Sequence, residues 1–391
     1  MITFIIGFIA GVIITIALAL LFFQKRKLHK EVQNLKVQMK ALSVHLDALP
    51  SVPKEKAKKI AIEGLRAEGE KAMDEYRWNE AIDYFQKALT LATGKEKAIF
   101  LHMLGECYSF VGELDQALRS LQESLEETRK IKDPRGRAVN LGNIGLVYQT
   151  KGELDRALKY YQEALEINRQ MGLKEGEANQ LGNIALIYQI KGGLDQALKY
   201  HHEALEINKE IGHKEGEASN LGNLGLIYQA RGNLEEALRY HQDALKIHKE
   251  IGSRHGEASN LGNIGLIYRA KGNLDQALEC LEEALKIDKE IGFKPGEANQ
   301  LGNIGVIYQV KGDLDQALKY HQEALDINRK IGRRQNEANQ VRNIGLIFEN
   351  RGEKEEALRH YEEALRIFKE ISAKREIEIT ERNIQRLSKN E

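Results

Sequence analysis

The chain has 391 residues, with 58 basic and 58 acidic side chains and a formal net charge of zero. That balance argues against the general basic footprint of a nucleic-acid binder. Its only cysteines, Cys107 and Cys280, lie far apart without CxxC or Cys/His spacing, which argues against structural zinc and a disulfide framework.

Residues Ile2 to Phe23 carry no charge. As a helix at about 1.5 Å per residue they reach roughly 33 Å, enough for the hydrocarbon core of a bilayer. Lys25, Arg26, Lys27 and Lys30 follow directly, so the positive-inside rule puts the short N-terminus outside and the rest in the cytosol. The expectation for 1–24 is an uncleaved single-pass anchor at the plasma membrane, with the lipid bilayer as partner of residues 2–23. Export to the opposite compartment is the alternative. Gly7, Gly11, Thr15 and Ala19 form a small-residue stripe on that helix. In 25–49, Leu28, Val32, Leu35, Met39, Leu42, Leu46 and Leu49 follow a coiled-coil seam, which predicts a short stalk and a weak parallel homodimer. Pro50 and Pro53 end the stalk, and 50–61 reads as linker and helix lead-in.

From there a block of 40 residues recurs. Leu-Gly-Asn stands at 141, 181, 221, 261 and 301, and Val-Arg-Asn takes its place at 341. A fixed period of this size predicts stacked helical hairpins. Within one block, Leu221, Leu224, Gly225 and Tyr228 mark one face of a first helix, and Gly232 ends it. Asn233 is predicted to cap the second helix with Glu236 in a capping box, and Asn273 and Asp313 occupy the same position elsewhere. Leu234, Ala237, Leu238, His241, Ala244, Leu245 and Ile251 then continue to Gly252.

This pattern of Leu221, Leu224, Gly225, Tyr228, Gly232, Ala237 and Ala244 resembles the tetratricopeptide repeat (TPR). The 40-residue period, the histidines at 201, 241 and 321 and the GxxxGEA joint are similar to the long-helix subtype of partner-of-inscuteable-type adaptors. The resemblance covers 62–374 and implies eight repeats. The first is divergent, keeping Trp78, Ala81, Tyr84, Phe85 and Ala88 but carrying Ala72 in the tyrosine slot. The fold expected is all-α: a TPR superhelical solenoid of eight helix-turn-helix repeats, preceded by a transmembrane helix and a coiled-coil stalk and closed by a charged capping helix over 375–391.

Turning about 100° per residue puts 219, 223, 226 and 230 opposite the core face of the first helix. The resemblance makes that side the lining of a concave groove. Across the blocks it carries Asn143, Asn183, Asn223, Asn263, Asn303 and Asn343. One turn on lie Leu146, Leu186, Leu226 and Leu266, then Val306 and Leu346, and the flank holds Gln149, Gln189, Gln229 and Gln309. Asparagine is a mediocre helix former, so six in mid-helix call for a reason. A carboxamide both donates and accepts, and can pair with the backbone of an extended peptide whatever its side chains. Arg269 and Arg342 are isolated cations there, so no carboxylate clamp is expected.

His201, His241 and His321 recur at one position and read as packing residues. No HExxH, phosphate loop or nucleophile elbow appears. Neither a cofactor, a metal nor catalysis is expected. The functional expectation is a membrane-anchored scaffold binding an extended peptide or protein segment, similar in layout to bacterial membrane-anchored TPR adaptors. The alternative is a regulatory or sensory TPR protein switched by a peptide or small ligand.

Overall fold

The computed structural model describes residues 54–388. The expected anchor, its small-residue stripe and the stalk lie outside these residues. Among the described residues no helix is long and apolar enough to cross a membrane. The described chain is all-α: seventeen helices, of which the first sixteen pair into hairpins. The first helices of the hairpins are α1 (Lys54–Asp74), α3 (Gly94–Phe110), α5 (Pro134–Thr150), α7 (Lys174–Ile190), α9 (Lys214–Ala230), α11 (Arg254–Ala270), α13 (Lys294–Lys311) and α15 (Arg334–Asn350). Their partners are α2 (Trp78–Leu91), α4 (Leu114–Lys130), α6 (Leu154–Met171), α8 (Leu194–Glu210), α10 (Leu234–Ile251), α12 (Leu274–Glu290), α14 (Leu314–Lys330) and α16 (Lys354–Glu370). α17 (Lys374–Ser388) follows.

The described residues divide into two compact units, one ending at Glu127 and the other beginning at Thr128. In the first, Trp78 stacks on Phe110 with centroids 4.2 Å apart, and Phe85 packs against Phe100. The buried Ser124 hydroxyl donates to the Ala98 carbonyl at 2.7 Å, closing α4 onto α3. Ala72, in the slot where other repeats carry tyrosine, is fully buried.

In the second unit each apolar cluster spans consecutive helices. Leu205 of α8 meets Leu221 and Leu224 of α9 and Tyr240, Ala244 and Ile247 of α10. The first helix of a hairpin is therefore buried between two second helices, while the second helices keep a charged outer face. Gly232 ends α9 at φ +78°, with Gly232 N–H donating to Gln229 O at 2.9 Å and Asn233 N–H to Tyr228 O at 2.9 Å. This is the Schellman arrangement, cheap only for glycine.

The expected capping box does not form. Neither Asn233 nor Asn273 makes a side-chain cap, whereas Asp313 accepts from Gln316 N–H at 3.1 Å. A carboxylate is the stronger acceptor at the positive end of a helix, and the Schellman turn already fixes the chain without the amide.

α17 packs against the last hairpin. Ile377 packs on the cluster of Ala364, Ile367 and Phe368, and Arg386 pairs with Glu349 at 2.6 Å.

Candidate functional site

The Leu-Gly-Asn triplet divides its labour over three directions. The leucine enters the core: Leu181 and Leu301 are almost fully buried. The glycine admits the next repeat, since a Cβ on Gly142 would stand 3.1 Å from Gln180 Nε2 and one on Gly302 2.8 Å from Gln340 Nε2. The asparagine points away from both, and Asn143, Asn183, Asn223, Asn263, Asn303 and Asn343 are all half-buried at equivalent places.

On α11, α13 and α15 these asparagines meet in one trough of about 470 Å³. Asn263, Asn303 and Asn343 line it with Leu266 and Val306, and Ser259, Asn299 and Asn339 form its next turn. The leucine row is partly presented: Leu146 is 50% exposed and Leu226 37% exposed, while Leu186, Leu266 and Leu346 are half-buried. The glutamine flank is not part of this trough. Gln149 accepts a 2.8 Å hydrogen bond from the Tyr161 hydroxyl, Gln189 Oε1 is buried with no partner among the described residues, and Gln229 and Gln309 are half-buried on α9 and α13. Arg342, which does not line the trough, lies with its guanidinium 5.5 Å from the centroid of the Phe368 ring, and burial lowers its pKa. It is a packed residue rather than a clamp.

A buried row of amides that periodicity did not single out runs along the first helices: Asn140, Gln180, Asn220, Asn260, Gln300 and Gln340, of which Gln300 and Gln340 also line the trough. Its signal in the sequence is an Asn or Gln directly before every core leucine or valine of the triplet. The three fully buried histidines bond to it across the repeat boundary. His201 Nδ1 lies 3.0 Å from Asn220 Oδ1, His241 Nδ1 3.1 Å from Asn260 Oδ1, and His321 Nδ1 2.7 Å from Gln340 Oε1. Asn220 and Asn260 in turn donate to the carbonyls of Gly216 and Gly256 at 2.8 and 2.9 Å. The second bond of Asn220 and Asn260 orients their amides and fixes His201 and His241 as Nδ1–H donors; among the described residues the buried Nε2 of all three histidines has no partner. Burial lowers all three pKa values.

Ion pairs rim the stack. The largely buried Glu257 pairs with Arg254 at 2.6 Å and Lys249 at 3.7 Å, and Arg254 also reaches Glu290 of the same hairpin at 2.6 Å. Glu177, Glu217, Glu297 and Glu337 are held in the same way. A second series joins successive second helices to the following turns, as in Lys271–Glu235 at 2.8 Å and Lys311–Asp275 at 2.6 Å. Among the described residues, no cluster of three or more His, Cys, Asp or Glu is arranged to hold a metal.

The sequence profile of the tetratricopeptide repeat family matches residues 96–170, 177–250, 216–290 and 296–370. The chain belongs to that family. No curated protein matches this TPR chain significantly. Among solved structures, its fold is similar to the apo form of the quorum sensor NprR from B. thuringiensis, at a TM-score of 0.66 and 18% identity, over 86% of this chain and 95% of that one. A Signal Transduction ATPase with a tetratricopeptide repeat sensor from Pyrococcus horikoshii gives 0.61 and 19% identity, over 82% of this TPR chain and 48% of the ATPase. A Rap protein complexed with competence and sporulation factor gives 0.56 and 16%, over 92% and 93%.

Proposed function

We propose that this TPR protein is a regulatory binding protein whose trough takes an extended peptide and whose stacked repeats respond to it. The observation that carries this reading is the meeting of Asn263, Asn303 and Asn343, from three successive hairpins, in one trough with apolar Leu266 and Val306 alongside. A ladder of carboxamides offers donors and acceptors to a peptide backbone, and the apolar row offers contact to its side chains. Likeness of fold to a quorum sensor, to a Rap protein complexed with competence and sporulation factor and to an ATPase with a TPR sensor supports sensing over static scaffolding.

The test is selection of peptides from a random library on the immobilised full chain. Selected peptides are expected to bind the double variant Asn263→Ala/Asn303→Ala at least tenfold more weakly. Equal affinity for both proteins refutes the role of the ladder.

A scaffold is the second reading, favoured by the uncharged run at 2–23 followed by four basic residues. In it the same trough holds a protein segment at the cytoplasmic face of a membrane, with weak dimerisation through residues 2–49. Protease digestion of sealed vesicles tests the orientation: protection of the repeats inside right-side-out vesicles supports it, and cleavage from outside refutes it.

A further inference from the structure

The repeats are near copies, so the places where one departs from the others carry information, and several departures converge on one end of the trough. At the place that packs against the next joint, α6 and α8 carry Asn168 and Asn208, α14 carries Asn328 at the equivalent position and α10 carries His248, whereas α12 alone carries a carboxylate, Asp288. In the same repeat Leu281 replaces the bridging histidine, so Gln300 turns instead to Asp288 and donates to its Oδ2 at 3.3 Å. Phe293 stands at the joint, 36% exposed, with His255 edge-on at 4.6 Å between ring centroids. Asp288, Phe293, His255 and Gln300 all line the trough beside Asn299 and Asn336.

Asp288 is 98% buried, at 2% exposure, yet among the described residues no lysine or arginine pairs with it. Its charged neighbours are His255 and Glu297, and Glu297 is already held by Lys294 at 2.6 Å. A buried carboxylate with one long hydrogen bond is under-satisfied, and the groups that satisfy it best are cations with several N–H donors. An exposed aromatic face beside it adds attraction for the same groups.

We propose that this end of the trough is a specificity subsite for one cationic group of the bound peptide, a guanidinium or an ammonium, seated on the Asp288 carboxylate with the Phe293 ring as one wall. The proposal rests on the peptide-groove reading above and adds to it which ligand is chosen.

The probe is a positional set of heptapeptides with a C-terminal fluorophore and an alanine, serine and leucine background. Arginine, lysine, citrulline or norleucine is placed at each position in turn, in N-acetylated and free-amine forms, and affinity for the full chain is read by anisotropy. At one position the arginine and lysine peptides are expected to bind about tenfold or more tightly than citrulline and norleucine. Asp288→Asn restores the residue that three other repeats carry. It is expected to reduce that preference below about twofold while the citrulline peptide keeps its affinity. If the gain comes instead from the free amine of peptides without a cationic side chain, and is lost in Asp288→Asn, the cation is the peptide N-terminus. Peptides that bind without any cation preference, or a preference that survives Asp288→Asn, overturn the subsite while leaving the groove standing. If no peptide binds either protein, the groove reading falls and the subsite with it.

Discussion

At His201, His241 and His321 a titratable ring is kept neutral by its surroundings. Each sets Nδ1 against an amide oxygen of the next repeat, and burial disfavours the imidazolium. His202 and His248 are lowered for the same reason. Because the folded pKa values lie below the unfolded value near 6.5, the unfolded chain binds more protons as pH falls through that value. Stability is therefore full above about pH 7 and declines as pH drops from there towards the folded pKa values, by up to about 1.4 kcal/mol per pH unit for each of the three fully buried rings. Urea midpoints at pH 7.5 and 5.5 are expected to differ accordingly. Leucine stands at this place in the chain's own repeat at Leu281. His201→Leu/His241→Leu/His321→Leu is therefore expected to flatten the difference, and an equally steep pH dependence in that variant would contradict the assignment.

Two glycines on the first helices, at different places in the repeat, give opposite expectations. A Cβ on Gly145 would lie 2.7 Å from the ring of the fully buried Tyr161, so Gly145→Ala is expected to cost about 1–3 kcal/mol. A Cβ on Gly182 would meet nothing nearer than Asn220 Oδ1 at 4.0 Å, so Gly182→Ala is expected to gain about 0.5–1 kcal/mol from helix entropy alone. Chemical denaturation of the two variants checks the sign of each. The sequence shows glycine at both places, and only the side chain that faces each one in the fold decides which is needed.

At the scale of the helix, the last one tests how an end is made. α17 turns Ile377 onto Phe368 and Ile367 and leaves most of its charge to solvent. Ile377→Asp is expected to lower stability by about 2–3 kcal/mol and to promote association through the uncovered apolar face, seen by thermal unfolding and size-exclusion chromatography. Arg386→Ala, which removes an exposed arginine while the Tyr361 hydroxyl still donates to Glu349, is expected to change stability by about 1 kcal/mol at most. The hairpins themselves were readable from periodicity, because apolar spacing of three and four and a glycine at each turn are local signals. The caps were not: Asn233 and Asp313 occupy one position, yet only the carboxylate bonds the helix end. The trough was half readable. The asparagine and leucine rows follow from helical phase. The wall formed by Asp288, Phe293 and His255 did not, because those residues belong to different helices and meet only when two repeats stack.

At the scale of the second unit, contact is almost wholly between neighbours: each hairpin packs on the one before and the one after. Such an array is approximately one-dimensional, and its stability is a sum of repeat and interface terms. A ligand lying across α11, α13 and α15 bridges units that otherwise communicate only through the helices between them. It is the contact best placed to make them open together. Hydrogen exchange of the full chain, with and without a peptide selected on it, is therefore expected to show added protection from α11 through α16. The amides of α5 to α8, which contribute nothing to the trough, should exchange at their unliganded rates. Protection confined to α5–α8 would place the ligand elsewhere. Uniform protection along the whole unit would mean that the stack responds as one cooperative body, and the response would then reside in the interfaces rather than in the bridge.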